Sequence, residues 1–309
     1  MVHAAVIGVG YLGKFHAEKY AGLAGVKLIA VVDPLSTRAH QIADRHGCEA
    51  LSDYRELFGR VDCASLAVPT SAHYAIAREL LAHDIDVLVE KPMTQSVEEG
   101  RELVQIADAH QRILQVGHLE RFNPAIRAIA GVVDEPRFIE CHRLAPFVER
   151  GTDVDVILDL MIHDLDVILS LVDSEVESVE AVGVPVLSES TDIANARLHF
   201  RNGCIANITA SRVTLKQERK LRLFQSDTYV SVDYGKKHVQ VCRRVFEGGK
   251  PTIQVEEHDL GGDALFDEIE HFVHAVSTRE RPLVDGAAAL RALETATRIR
   301  ECVRSAASK

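Results

Sequence analysis

Three stretches of this chain place reactive side chains where their spacing matters. The segment VLVEKPMT, residues 87–94, ends an apolar run in Glu90 and Lys91, with Pro92 behind them. Charges are costly to bury without partners, and proline forbids strand continuation and easy helix entry. Lys91 is therefore read at a strand end, where an ammonium can steady a developing alkoxide. The segment DVILDLMIHDLD, residues 155–166, carries Asp159 and His163 four residues apart, neighbours on one helical face. A carboxylate beside an imidazole orients the ring and favours its protonated form. A histidine titrating near neutrality suits the removal of a hydroxyl proton, worth about 10²–10⁴ in rate. Finally, GVGYLG at residues 8–13 is a G-x-G-x-x-G between the strand-like AAVI and a helical pattern.

That glycine motif assigns Gly8 to the tight turn, Gly10 to close backbone approach to a pyrophosphate, and Gly13 to helix–strand packing. Tyr11 and Leu12 complete the loop, and the helix behind it offers amides and a favourable dipole to phosphates. The next apolar run, LIAVVD, ends in Asp33, twenty residues after Gly13. A carboxylate there accepts from the ribose hydroxyls of NAD and repels the 2′-phosphate of NADP. Ser36 and Arg38 follow closely, so the reading is NAD with NADP left open.

These residues need elements to hold them. From Ala4 to about Gly117, runs such as VKLIAVVD, CASLAVP, IDVLVEKP and RILQVGH alternate with helical patterns. Near-continuous Val, Ile and Leu separated by helices indicate a parallel sheet covered on both faces. Strand C-terminal ends carry function in such sheets. This brings Pro69, Thr70 and His73 of LAVPTSAH to the level of Glu90 and Lys91. After about residue 120, alternating strand-like stretches dominate, from ESVEAVGVPVL to HVQVCRRVF, separated by RNG, DYG and EGGKP turns. The fold class is α/β: a Rossmann domain at 1–119, then an α+β domain at 120–309 with a large, mostly antiparallel open sheet. The last helix has the option of packing back on the first domain.

On a 100° projection Asp155, Asp159, His163, Asp166, Ser170 and Asp173 fall within a sector of about 80°, with Asp164 on the opposite side. Nearly everything else in this helix is apolar, so the stripe faces either bulk water or a polar cleft. The net charge of −11 carries no basic stripe for nucleic acid. Six scattered cysteines without metal-like spacing fit reduced thiols in a cytoplasmic protein. No metal site is expected. The strand pattern begins at Val2, leaving no room for a signal peptide, and aspartates break the most apolar helix, so no membrane span is expected.

In order along the chain, GVGYLGKFHAEKY, VDCASLAVPTSAHYAIARELLAHDIDVLVEKPMT, QVGHLERFNPAI and DVILDLMIHDLD resemble the Gfo/Idh/MocA oxidoreductases over nearly the whole length. EKP with a later D-x-x-x-H is specific to that family. The resemblance implies that Lys91, Asp159 and His163 hold the catalytic positions and that the Lys-Pro peptide is cis. It also implies a homodimer or homotetramer built through the second-domain sheet. A nearer likeness lies in QVGHLERFNP and RLAPFVERGTDVDVILDLMIHDLDVIL. It is to a bacterial branch acting on a nucleotide sugar, UDP-N-acetylglucosamine, at C3. An aminotransferase follows on the route to 2,3-diamino sugars of lipid A. Arg121, Asn123, His142, Arg143 and Arg212 are the substrate candidates, with Arg150, Arg219 and Lys220 beside them. The alternatives are a free sugar, a cyclitol or another nucleotide sugar as substrate, or a regulator that senses NAD without turnover.

Overall fold

The computed structural model describes residues 1–147 and 154–307; Arg150 lies outside them. The chain divides into two compact units. One is Met1–Leu119 with Asp263–Leu290, the other Glu120–Gly262 with Arg291–Lys309.

In the first unit, strands β1 (Val2–Ile7), β2 (Val26–Val32), β3 (Glu49–Leu51), β4 (Cys63–Leu66), β5 (Asp86–Glu90) and β6 (Leu114–Gly117) form one sheet in the order β3-β2-β1-β4-β5-β6. All its pairings are parallel. Helices α1 (Gly13–Gly22), α2 (Ser36–His46), α3 (Thr70–Ala82) and α4 (Val97–Ala109) make the crossovers. The central strands β1, β4 and β5 are apolar on both faces because both are covered. The order reverses between β1 and β4, which sets the ends of those strands at a topological switch point.

The second unit begins with α5 (Pro124–Ile129), for which Asn123 is the cap, accepting from the Ala125 amide. Then come β7 (Phe138–Leu144), a π-helical turn at Ile157–Met161, and α6 (Ile162–Leu171). Strands β8 (Val176–Val184), β9 (Ile193–Phe200), β10 (Ile205–Ser211), β11 (Glu218–Phe224), β12 (Thr228–Asp233), β13 (His238–Glu247) and β14 (Lys250–Asp259) follow. The eight-stranded order is β14-β13-β12-β11-β7-β10-β9-β8. Only the β7–β10 pairing is parallel among the described residues. Along β7 burial alternates, with Ile139, Cys141 and Arg143 inward and Phe138, Glu140 and His142 on the other face.

The sequence pattern places the domain boundary at residue 119, with the last helix free to pack back on the first domain. In the structure α7 (Ala264–Thr278) and the start of α8 (Gly286–Ala307) belong to the first unit. Ile269, Phe272, Ala275 and Val276 enter the core that holds Ala4, Val6, Ala17 and Tyr20. The backbone amide of Val116 on β6 donates to Val284 at 3.0 Å. Arg279, at the end of α7, grips the buried Asp86 through both terminal nitrogens and also donates to the Gln111 carbonyl at 2.7 Å. None of the six cysteines is in a disulfide, and no helix among the described residues is long and apolar enough to cross a membrane.

Candidate active site

The loop after β1 is shaped by its glycines. Gly8 has φ +82°, and a Cβ there would meet the Ala67 carbonyl oxygen at 2.6 Å and Val68 at 2.7 Å. A Cβ at Gly13 would lie 1.8 Å from the Gly8 carbonyl oxygen, so α1 can start only where it does if residue 13 has no side chain. No side chain caps α1 and its first turn carries no acid, while Tyr11 and Leu12 stand exposed at its mouth. Asp33, at the end of β2, is buried. Its carboxylate accepts from the Val9 amide at 3.1 Å, the Leu35 amide at 3.0 Å and the Arg38 guanidinium at 3.2 Å.

At the neighbouring strand ends, Pro69 precedes α3 and Thr70 opens it. His73, buried in its first turns, lies 2.9 Å from the Pro92 carbonyl oxygen and 3.0 Å from that of Val68. It thereby ties the loop after β4 to the loop after β5, and burial pulls its imidazole below the ordinary histidine range. The Lys91–Pro92 peptide is cis. Glu90 sits 3.0 Å from His16 Nε2. Burial pushes its carboxyl up, but the His16 hydrogen bond and the Lys91 ammonium outweigh it and hold it below the ordinary glutamate range. Lys91, half-buried, follows directly.

In the second unit Asp159 lies within the π-helical turn and His163 at the start of α6, both half-buried. A π turn carries an extra residue and is a frequent mark of functional sites; a projection at 100° per residue has no means of showing it. The stripe is not uniformly open. Asp155 caps the turn by accepting from the Ile157 and Leu158 amides and pairs with Arg300 at 2.6 Å. Asp166 is buried with Arg121 at 3.7 Å, and only Ser170 and Asp173 at the far end are exposed.

The family model described as Oxidoreductase family, NAD-binding Rossmann fold (GFO_IDH_MocA), matches residues 2–118. The GFO/IDH/MocA C-terminal domain model matches residues 125–230. The chain is 39% identical to UDP-N-acetylglucosamine 3-dehydrogenase of Acidithiobacillus ferrooxidans, over 98% of each protein. The chain belongs to the Gfo/Idh/MocA oxidoreductase family. A solved structure of the Acidithiobacillus enzyme superposes with a TM-score of 0.92 at 37% identity, covering 98% of each chain. A more distant relative is scyllo-inositol 2-dehydrogenase (NAD(+)) of Bacillus subtilis, 28% identical over 92% of this chain and 88% of that one.

NAD, the cofactor of this Gfo/Idh/MocA member, fits the residues present. A Cβ built on Gly10 meets nothing of the protein closer than Arg38 at 3.9 Å. The bare backbone at Gly10 therefore leaves a cradle that internal packing does not demand, unlike Gly8 and Gly13. Asp33 has three of its roughly four acceptor positions occupied, which leaves room for one ribose hydroxyl rather than two. Arg38 beside it partly offsets the charge that would repel a 2′-phosphate.

The substrate candidates separate by environment, and three of them are engaged by partners inside the second unit. Arg143 is buried and donates to Asp164 from Nε and Nη2, at 2.8 and 2.7 Å, and to Glu120 from Nη1 at 2.9 Å. Arg212 is equally committed, to Asp192 at 2.8 Å, the Val154 carbonyl and the hydroxyls of Ser188 and Ser190. Asn123 caps α5 and donates to Glu120 at 3.0 Å. These three hold the second unit together instead of facing outward. His142 points to the sheet face away from α6, 3.6 Å from Glu218. Arg121 alone of the five lies beside the polar stripe. Glu120 and Asp164 are not among the candidates that sequence motifs single out. Asp164 had a signal, since an acid on the apolar side of a buried helix requires a cationic partner. So did Arg143, which alternation along FIECHRL turns inward with Ile139 and Cys141.

Proposed function

We propose that this chain oxidises the C3 hydroxyl of UDP-N-acetylglucosamine to the 3-keto sugar with NAD. The observation that carries the reading is 39% identity over 98% of both proteins to an enzyme of that name. In this assignment His163 takes the hydroxyl proton, Asp159 orients the imidazole, and the Lys91 ammonium steadies the oxygen as it gains negative charge. Bound NAD supplies the hydride acceptor. Gly8, Gly10, Tyr11, Leu12 and Gly13 would hold its phosphates at the start of α1 and Asp33 its ribose. Pro69, Thr70, His73 and Glu90 line the end where Lys91 sits, and Arg121 contacts substrate.

The product is an activated ketone, which suits an aminotransferase as the next enzyme, toward a 2,3-diamino sugar of lipid A. Six thiols outside any disulfide favour the cytoplasm. A homo-oligomer formed through the open sheet face is supported by Phe138, Phe224 and Tyr229, which cluster there with centroids 5.7 and 5.0 Å apart.

The test is NADH formation from a panel of UDP-sugars and inositols, with glutamate and a coupled aminotransferase to pull the equilibrium. Turnover is expected with UDP-N-acetylglucosamine, and reaction with inositols alone would end the assignment. Lys91→Ala and His163→Ala are each expected to lower kcat by about 10²–10⁴; unchanged rates would remove them from the chemistry.

A further inference from the structure

A buried hydrogen-bonded chain runs beneath the strand-end lysine, entirely within the first unit. His16 and Tyr20 lie one turn apart on α1, both buried, with the wholly buried Ser65 of β4 beneath them. Tyr20 Oη is 2.8 Å from Ser65 Oγ, Ser65 Oγ is 3.1 Å from His16 Nδ1, and His16 Nε2 is 3.0 Å from Glu90 Oε1. Glu90 is packed tightly on its other side. A Cβ at Gly117 would stand 3.1 Å from its Oε2.

The chain has a direction. Ser65 Oγ is the hydrogen-bond partner of the buried Tyr20 hydroxyl, and an O–H left unpaired there would be costly, so the phenol, which burial keeps protonated, donates to Ser65. Ser65 then donates its own proton to His16 Nδ1, which must be an acceptor. The ring proton is left on Nε2, facing the Glu90 carboxylate. A neutral imidazole has one donor and one acceptor nitrogen, and here the phenol two steps away decides which is which. Because α1 is also the helix behind the phosphate loop, the chain fastens the end of β5 to the dinucleotide-binding helix.

We propose that Tyr20, Ser65 and His16 are positioning residues that fix the Glu90 carboxylate, and with it the backbone from which Lys91 projects. The inference rests on the role assigned to Lys91 above. Small misplacements at a reacting centre cost up to about 10²-fold, so Tyr20→Phe and Ser65→Ala are each expected to lower kcat roughly tenfold. Their dissociation constants for NAD should stay within about threefold, as for a displaced group rather than a damaged cofactor site.

The independent readout is ¹⁵N NMR of the histidine-labelled full chain, with His16 assigned by loss of its resonances in His16→Gln. His16 is expected as the neutral Nε2–H tautomer at pH 7.5, and Tyr20→Phe should shift its Nδ1 resonance. A protonated or Nδ1–H ring would overturn the proposal. So would unchanged kcat in both hydroxyl-deletion variants, or loss of NAD binding in step with kcat. Lys91→Ala in the same assay separates the two ideas. If it keeps the full rate, the role of Lys91 has failed, whereas an inactive Lys91→Ala beside fully active Tyr20→Phe and Ser65→Ala sinks the positioning chain alone.

Discussion

Arg143 shows how one residue type serves two ends. An arginine in an oxidoreductase invites a role in anion binding, yet the Arg143 guanidinium is consumed by Asp164 and Glu120. Removing one member of a buried ion pair leaves the other uncompensated, at about 3–5 kcal/mol. Arg143→Met should therefore lower the urea midpoint sharply, and Arg143→Met with Asp164→Leu should recover much of the loss. A variant that unfolds normally but raises KM for substrate would return Arg143 to the binding site. Asp192 supplies a pH-dependent counterpart. Burial works to raise its carboxyl, but the Ser188 hydroxyl, the Leu187 and Ser188 amides and Arg212 hold it well below the usual range. The folded pKa is thus lower than the unfolded value of about 3.9, and the stability it gives is present above that value and lost as pH falls. The melting-temperature gap between wild type and Asp192→Asn should be full at pH 7 and narrow below about pH 4. A gap constant from pH 3 to 7 would contradict this. The types and spacings of Lys91, Asp159 and His163 were legible in sequence because they stand out against apolar surroundings. The partners of Arg143 and Arg212 were not, because strand alternation turns Arg143 inward without saying that Asp164 and Glu120, more than 20 residues away, meet it, and Asp192 lies 20 residues from Arg212.

At the scale of elements, legibility followed apolar content. Strands β1, β2, β4, β5 and β6 announce themselves as Val-, Ile- and Leu-rich runs. In contrast, β3 is three residues long, β7 mixes Glu140, His142 and Arg143 among its apolar residues, and β14 is an edge strand exposed along most of its length. Solvent-facing polar residues weaken the signal that burial would create. The glycine loop offers a sharper separation, because packing and ligand demands fall on different positions. At Gly13 a side chain would collide with the Gly8 backbone, whereas at Gly10 it would enter open space. Gly13→Ala should lower the melting temperature without added ligand. Gly10→Ala should melt as wild type does while losing most of its thermal shift on addition of NAD. Equal shifts in the two proteins would mean that Gly10 does not border the cofactor.

The whole molecule is threaded so that its first unit is completed by residues far along the chain. The pattern in LFDEIEHFVHAVST reveals an amphipathic helix, but a helical period does not say which core its apolar side joins. Once placed, the energetics are clear. Ile269 and Phe272 are fully buried, each contributing about 1.5–3 kcal/mol by removal from water. Arg279 adds a polar clamp on Asp86, whose carboxylate also accepts the Ile113 amide at 2.7 Å. Arg279 is partly exposed, so solvent screening reduces the clamp, and Arg279→Ala should cost about 1–3 kcal/mol. The loss should be local: amide hydrogen exchange should speed up in β5, β6 and α7, at or beside whose ends Asp86, Ile113 and Arg279 meet, while β9 and β10 keep wild-type protection. Uniform loss across both sheets would instead mean that the two units unfold as one cooperative body and that Arg279 has no special hold on the first.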